Sequence, residues 1–159
     1  MVTKARPRFR SSAIRLEPIA AKDFPLLVRF ARDFYAEDGR AFPARGRRAL
    51  AALTRGTPHG AGYMICLPDG LPVGYVVISY GFSVEFGGPD SFLDDLYIAP
   101  AHRNRGLGSR VLQRLRSVLH GHGVRAMHLQ VMPGNNRASR FYARHGFVAS
   151  KLKFMSRVF

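Results

Sequence analysis

The 159-residue chain has a single cysteine, Cys66, which excludes an intrachain disulfide. Cys66 sits in the apolar run Tyr63 to Leu67 with nothing nearby to activate a thiol, so it reads as a buried structural residue. No run approaches the roughly 18 apolar residues that a membrane span needs. The first twelve residues also lack the apolar stretch of a secretory signal, and a cytoplasmic location is expected. His120-Gly121-His122 has no further Cys or His at metal spacing. It reads as a helix end in which histidine complements the dipole, and no metal is expected. There is no Gly-x-Ser-x-Gly elbow to anchor a hydrolase. Internal repeats and low-complexity tracts are absent, and the length suits one domain over residues 13–159 behind a basic, flexible tail over 1–12.

Acidic residues are the scarcest class relative to their opposite: 10 Asp and Glu face 25 Lys and Arg, a net charge of +15. Such an excess raises the question of a nucleic-acid partner, because Lys and Arg release counterions from phosphates. Here the charge is spread along the chain. The densest segments, Lys4-Ala5-Arg6-Pro7-Arg8-Phe9-Arg10 and Arg45-Gly46-Arg47-Arg48, contain neither an aromatic stacking platform nor a recognition-helix pattern. A solvated basic surface is the favoured reading, and an acidic partner for the tail stays open.

The periodicities are those of an α/β fold, with helical and strand patterns mixed along the chain. Ala13 to Ile19 alternates like an edge strand. Asp23 to Asp38 carries apolar residues at 24, 27, 28, 30, 31, 34 and 35, the face of a helix with Pro25 in its first turn. A short helix is expected over Arg45–Thr54. Gly62 to Leu67 and Pro72 to Tyr80 form a hairpin through Pro68-Asp69-Gly70. Phe92 to Ile98 is a strand. Gly106 to Gly121 is a helix whose stripe is Val111, Leu112, Leu115, Val118 and Leu119. Ala126 to Met132 reads as a strand, Asn136 to His145 as a helix, and Phe147 to Phe159 as one or two closing strands.

Between the strand ending at Ile98 and the helix beginning at Gly106 lies Arg103-Asn104-Arg105-Gly106-Leu107-Gly108. In that setting it reads as a phosphate cradle. Glycines at 106 and 108 allow a close backbone approach, and the first helical amides aim unpaired N–H groups and the positive dipole end at an anion. Arg103 and Arg105 add charge. The spacing R-x-x-G-x-G is neither the dinucleotide fingerprint nor a Walker loop, so a different pyrophosphate is implied.

The loop, together with Asn135-Asn136-Arg137-Ala138-Ser139-Arg140-Phe141-Tyr142-Ala143-Arg144-His145-Gly146-Phe147, resembles the two signatures of the Gcn5-related N-acetyltransferase (GNAT) superfamily. The second segment matches N-x-x-A-x-x-[LF]-Y-x-x-x-G-F at every fixed position. Leu93-Asp94-Asp95-Leu96-Tyr97-Ile98-Ala99-Pro100 is similar to the strand before the loop in polyamine-type and related acetyltransferases, and the match spans about residues 73 to 147. The resemblance implies one domain with a mixed, mostly antiparallel sheet flanked by about four helices. It also implies acetyl-CoA as acyl donor, direct attack by an amine, and a homodimer as a frequent assembly.

Carried over residue by residue, the resemblance assigns the cofactor's pyrophosphate to Arg103, Asn104, Arg105, Gly106, Leu107, Gly108 and Ser109. The pantetheine arm and thioester carbonyl fall to the backbone of Leu96, Tyr97 and Ile98, with Asn135 hydrogen-bonding the arm. Read without the motif, Asn135 is equally a helix cap. Tyr142 stands at the general-acid position: a phenol with a reference pKa near 10 is protonated at neutral pH and can donate to a thiolate. On its own helix it could equally be core packing with a satisfied hydroxyl. For the base, Asp94 matches the first carboxylate of the Leu-Glu-Asp strand, here shortened from Glu to Asp, and Glu85 is the other candidate. Strand alternation predicts that at most one of Asp94 and Asp95 faces the cleft. Both aspartates could also be structural charges paired with arginines.

Six of the ten acids lie at Glu37, Asp38, Glu85, Asp90, Asp94 and Asp95. In such a fold these stretches border the acceptor side, where a negative mouth on a positive protein would concentrate a cationic amine. Tyr80 to Gly88 adds aromatic faces for an amine or its alkyl chain. The expected acceptor is a small cationic amine, or a lysine or N-terminal amine of a peptide; neither a membrane nor a nucleic-acid partner is expected. The alternative is a non-catalytic acyl-CoA-binding or nucleic-acid-associated module of the same fold.

Overall fold

The structure, a computed structural model, describes residues 14–159, so the basic segment over 1–12 lies outside the described residues. Five strands form one sheet in the order β1 (Arg15–Pro18), β2 (Gly60–Cys66), β3 (Pro72–Ser83), β4 (Gly88–Ile98), β5 (Ala126–Leu129). The first three pairings are antiparallel and β4 pairs with β5 in parallel. The helices are α1 (Phe24–Glu37), α2 (Ala44–Leu53), α3 (Leu107–Gly121) and α4 (Asn136–Arg144). The chain divides into two compact units, the first ending at Leu129 and the second running over Gln130–Phe159.

In the first unit, α1 begins with Pro at its first turn and turns Leu27, Phe30 and Ala31 into a cluster with Leu50 of α2 and with Met64, Cys66, Tyr75, Val77 and Tyr97 of the sheet. The apolar stripe read from the sequence is the face that α1 buries. Cys66 is buried there, and burial pushes its thiol above the usual range, as suits an inert packing residue. Helix α3 buries Leu107, Val111, Leu112, Leu115 and Leu119, none of which belongs to that cluster, and lies against β4. Pairs of strands are held close where side chains are missing. A Cβ on Gly74 would run into the carbonyl oxygen of Tyr97 across the β3–β4 ladder.

Three expectations change. The strands expected to end at Tyr80 and begin at Phe92 are longer: β3 continues to Ser83 and β4 begins at Gly88, leaving only a four-residue turn at 84–87. The strand over 126–132 is four residues long, Ala126–Leu129, and pairs with Asp90 to Leu93 of β4. Phe147–Phe159 contains no strand or helix, and Val148, Leu152, Phe154, Met155, Val158 and Phe159 are exposed. Alternation supplies a strand's face but not its ladder, and without partners the backbone gains nothing from extending.

In the second unit, α4 is capped by Asn135, whose side-chain oxygen accepts the Ala138 N–H at 3.0 Å. Phe141, Tyr142, His145 and Phe147 stack edge to face within this unit.

Candidate active site

The two aspartates occupy a β-bulge. Val77 of β3 is opposite Asp95 while Ile78 is opposite Leu93, so Asp94 is the extra residue. Tyr75 and Ser79, four residues apart on β3, share one face of the sheet. The Tyr75 hydroxyl donates to Asp95 Oδ2 at 2.9 Å, and Ser79 hydrogen-bonds the Asp94 carboxylate. Both carboxylates therefore lie on the α1 face, contrary to the alternation expected of neighbours. The inserted residue cancels one half-period of the strand.

Their environments differ. Asp94 is exposed, and partial desolvation raises its carboxyl against the opposing bond from Ser79. Asp95 is largely enclosed: burial pushes its pKa up to about 6, the Tyr75 bond pulls it down, and the Asp94 charge pushes it up again. Tyr75 is fully buried, and its phenol is raised far above the usual range by burial and by Asp95. On α1, Tyr35 is raised by burial and by Asp95, with Asp94 adding a smaller push. The Arg40 guanidinium lies 4.7 Å from the Tyr35 ring centroid. Two carboxylates, two phenols and a hydroxyl thus converge beside α1.

The bulge also coincides with the point where β4 loses a neighbour. Its parallel ladder with β5 stops at Leu93, and among the described residues no strand pairs with Asp94 to Ile98 on that edge. Leu96, Tyr97 and Ile98 are held on the other edge by Val76, Tyr75 and Gly74. Backbone donors and acceptors on the open edge are available to an extended ligand.

Downstream, a 3-10 turn over Pro100–His102 leads into the loop, where Asn104 adopts φ 60° and Gly106 φ 74°. Such angles are costly for side chains with a Cβ and natural for glycine. Gly106 is the N-cap of α3, which has no side-chain cap and no acid in its first turn. A Cβ at Gly106 would meet nothing within 4 Å, so the space above the helix start is open. Arg105 beside it is exposed. A 15-residue helix with an uncapped, electropositive start, a glycine opening and an arginine suits a pyrophosphate. The residues present therefore fit the group that the loop's spacing implies.

Other expected site residues lie elsewhere. The Arg103 guanidinium is turned to the backbone carbonyl of Ile98, at 2.6 Å from Nε, and to the Glu37 carboxylate. Glu85 occupies the turn at the tip of the β3–β4 hairpin, exposed. From Gly88 to Asp94 the strand rises about 20 Å, which separates Glu85 from the bulge. The acidic mouth is smaller than the sequence suggested: Glu37 pairs with Arg103, Asp38 pairs with Arg40 at 3.2 Å, and Asp90 Oδ2 lies 3.5 Å from His128 Nε2. Asp94 and Asp95 remain. Sequence reasoning missed Tyr35, Tyr75 and Ser79, which carry no motif; the β3 alternation opposite the Asp-Asp pair was the signal that could have found them.

In the second unit, Tyr142 is raised to about 12 by burial alone, which keeps the phenol protonated throughout the physiological range. The Asn135 oxygen is committed to its cap. Among the described residues there is no group of three or more His, Cys, Asp or Glu that could hold a metal ion, and no helix is long and apolar enough to cross a membrane.

The sequence profile of the acetyltransferase (GNAT) family matches residues 27–147. A thialysine N-epsilon-acetyltransferase of Bos taurus is 32% identical over 81 residues, 48% of this chain and 48% of that protein. The chain thus spans about half the length of the curated relatives it matches. Among solved structures, an integron cassette protein from the mobile metagenome of Cole Harbour Salt Marsh superposes with a TM-score of 0.75 at 32% identity, covering 90% of this chain and 89% of its own. The aminoglycoside N-acetyltransferase AAC(6')-Iy in complex with CoA has the same fold, with a TM-score of 0.76 at 17% identity over 97% and 99% of the two chains.

Proposed function

We propose that this chain, which belongs to the acetyltransferase (GNAT) family, moves the acetyl group of acetyl-CoA onto a primary amine by direct attack, without an acyl-enzyme. The observation that carries this reading is the coincidence in one strand of a lost ladder partner, a bulge and two carboxylates, immediately before an uncapped helix start. Acetyl-CoA supplies the activated thioester. The amides at 104–109 and Arg105 bind its pyrophosphate, the open backbone edge at Leu96, Tyr97 and Ile98 binds the pantetheine arm, and one of those N–H groups polarises the thioester carbonyl. Asn135 keeps an amide donor for the arm beyond its capping oxygen.

Asp94 is the proposed base. It is the exposed member of the pair, so a proton taken from the substrate ammonium, directly or through a bridging water, can pass on to solvent. Asp95, fixed by Tyr75, keeps a negative charge in place for the cation. Tyr142 donates its proton to the departing sulfur, a role supported by its motif position and its protonated phenol. The acceptor is a cationic amine, either a small molecule or a lysine or N-terminal amine of a peptide. Relatives named for thialysine and aminoglycoside acetylation are consistent with amine acceptors. The proposed setting is cytoplasmic, as a homodimer.

A thiol-release assay with acetyl-CoA against polyamines, aminoglycosides, amino acids and basic peptides tests the reading. Activity should appear with one amine class, and Asp94→Asn should lose most activity at low pH and recover toward the amine's own pKa. A profile that only scales down excludes Asp94 as the base. CoA binding with no acetylation of any member would favour the non-catalytic module.

A further inference from the structure

Arg103 opens the cofactor loop, yet every interaction described for its guanidinium points away from the loop's glycines. Nε donates to the Ile98 carbonyl, a terminal nitrogen pairs with the Glu37 carboxylate, and the cation lies 5.5 Å from the Tyr97 ring centroid. Only 26% of its side chain is exposed. A guanidinium is a rigid planar fork, so these three partners fix its orientation. We propose that Arg103 and Glu37 form a clasp that positions the cofactor loop from α1, an inference that rests on the acetyl-CoA reading above.

Local rules already mark Glu37 as a misfit. It is the last residue of α1, at the negative end of the helix dipole, and α1 has no basic residue in its last turn. Tyr97 is pushed up first by burial and then by Asp33 and Glu37, and is pulled down by Arg103, so all three charges act on one small region. Arg103 supplies the cation that the last turn of α1 lacks, from 66 residues along the chain. Its backbone is extended, and the next residue, Asn104, is the one non-glycine residue with positive φ among those described. The clasp therefore grips the chain just before it turns into the left-handed region. At the other end of the same helical turn, Tyr35 faces the bulge carboxylates. One ion pair joins the element that contacts the acceptor side to the loop that takes the pyrophosphate.

The sign of one substitution separates a clasp from a phosphate ligand. Glu37→Gln removes a negative charge and frees Arg103, so if Arg103 served phosphate, anionic CoA would bind more tightly. A positioning clasp requires weaker binding. Calorimetry of CoA on wild type, Glu37→Gln, Arg103→Gln and the double variant should show each single variant weakened about three- to tenfold and the double no worse than either. KM for acetyl-CoA should rise with little change in kcat. Hydrogen exchange of the unliganded protein should show faster exchange at residues 99–109 in Glu37→Gln, with its thermal midpoint unchanged. Arg103→Lys, which keeps the charge and loses the fork, serves where Arg103→Gln fails to fold. Unchanged or tighter CoA binding in Glu37→Gln overturns the clasp. If wild type does not bind CoA, the acetyl-transfer reading fails by itself, and exchange at 99–109 decides the clasp alone: unchanged exchange overturns it.

Discussion

Replacing Asp95 by asparagine should make the protein more stable while making it a poorer enzyme. Asparagine has nearly the shape of a protonated aspartate, and its oxygen can still accept from Tyr75, so the comparison isolates the charge. Burial lifts the carboxyl from 3.8 to about 6. Between those values the folded chain keeps a proton that the unfolded chain has released, so stability falls as pH rises through that window and stays lowered above it. Two pH units at about 1.4 kcal/mol each make the loss about 3 kcal/mol at neutral pH. Urea unfolding of both proteins from pH 4 to pH 8 measures it. The two should be nearly equal at pH 4, and the variant should lead by up to about 3 kcal/mol at pH 8, with acceptor affinity reduced. A difference that is constant with pH, or a variant less stable at pH 8, would show that the Asp95 charge is not held at a cost.

Tyr142→Phe should lower kcat by roughly 10²–10⁴-fold with CoA affinity unchanged, read by steady-state kinetics and calorimetry; an unchanged kcat removes the phenol from the chemistry. Gly106→Val should fold, since its Cβ meets nothing within 4 Å, at a cost of about 1–2 kcal/mol for a left-handed φ of 74°, and should lose measurable CoA binding. Undiminished binding would mean that the phosphates sit elsewhere. Gly74→Val should lower the urea midpoint sharply, by about 3 kcal/mol or more in stability, because the new side chain collides with the Tyr97 carbonyl and the Ile98 Cα. A small effect would show that β3 and β4 can part at low cost.

The helices were legible because burial writes a period into the sequence: the α1 and α3 stripes are the faces those helices bury. The glycine loop was legible for a related reason, since positive φ at residue 106 leaves few alternatives to glycine. The bulge was not. A strand's period is read by counting, and one inserted residue between Leu93 and Asp95 makes the count wrong without changing any local preference. The partners of Arg103 were hidden for another reason: an ion pair across 66 residues leaves no local pattern, and the arginine alone looked like a phosphate ligand. The closing segment failed in the opposite sense, having a strand's pattern and no ladder to join.

The extra residue in β4 makes the carboxylate pair, and not the ladder, the part of this strand that depends on its length. Deleting Asp94 would restore ordinary pairing with Leu93 still opposite Ile78 and Asp95 still opposite Val77, so Gly88 to Leu93 would keep their faces while the second carboxylate is lost. Deleting a residue from 84–87, in an exposed turn, would shorten the hairpin and leave the register below it intact. Relatives of this chain that differ in length should therefore vary at the hairpin tip, and any that lack the extra residue between Gly88 and Ile98 should keep the ladder and present one carboxylate where this chain presents two.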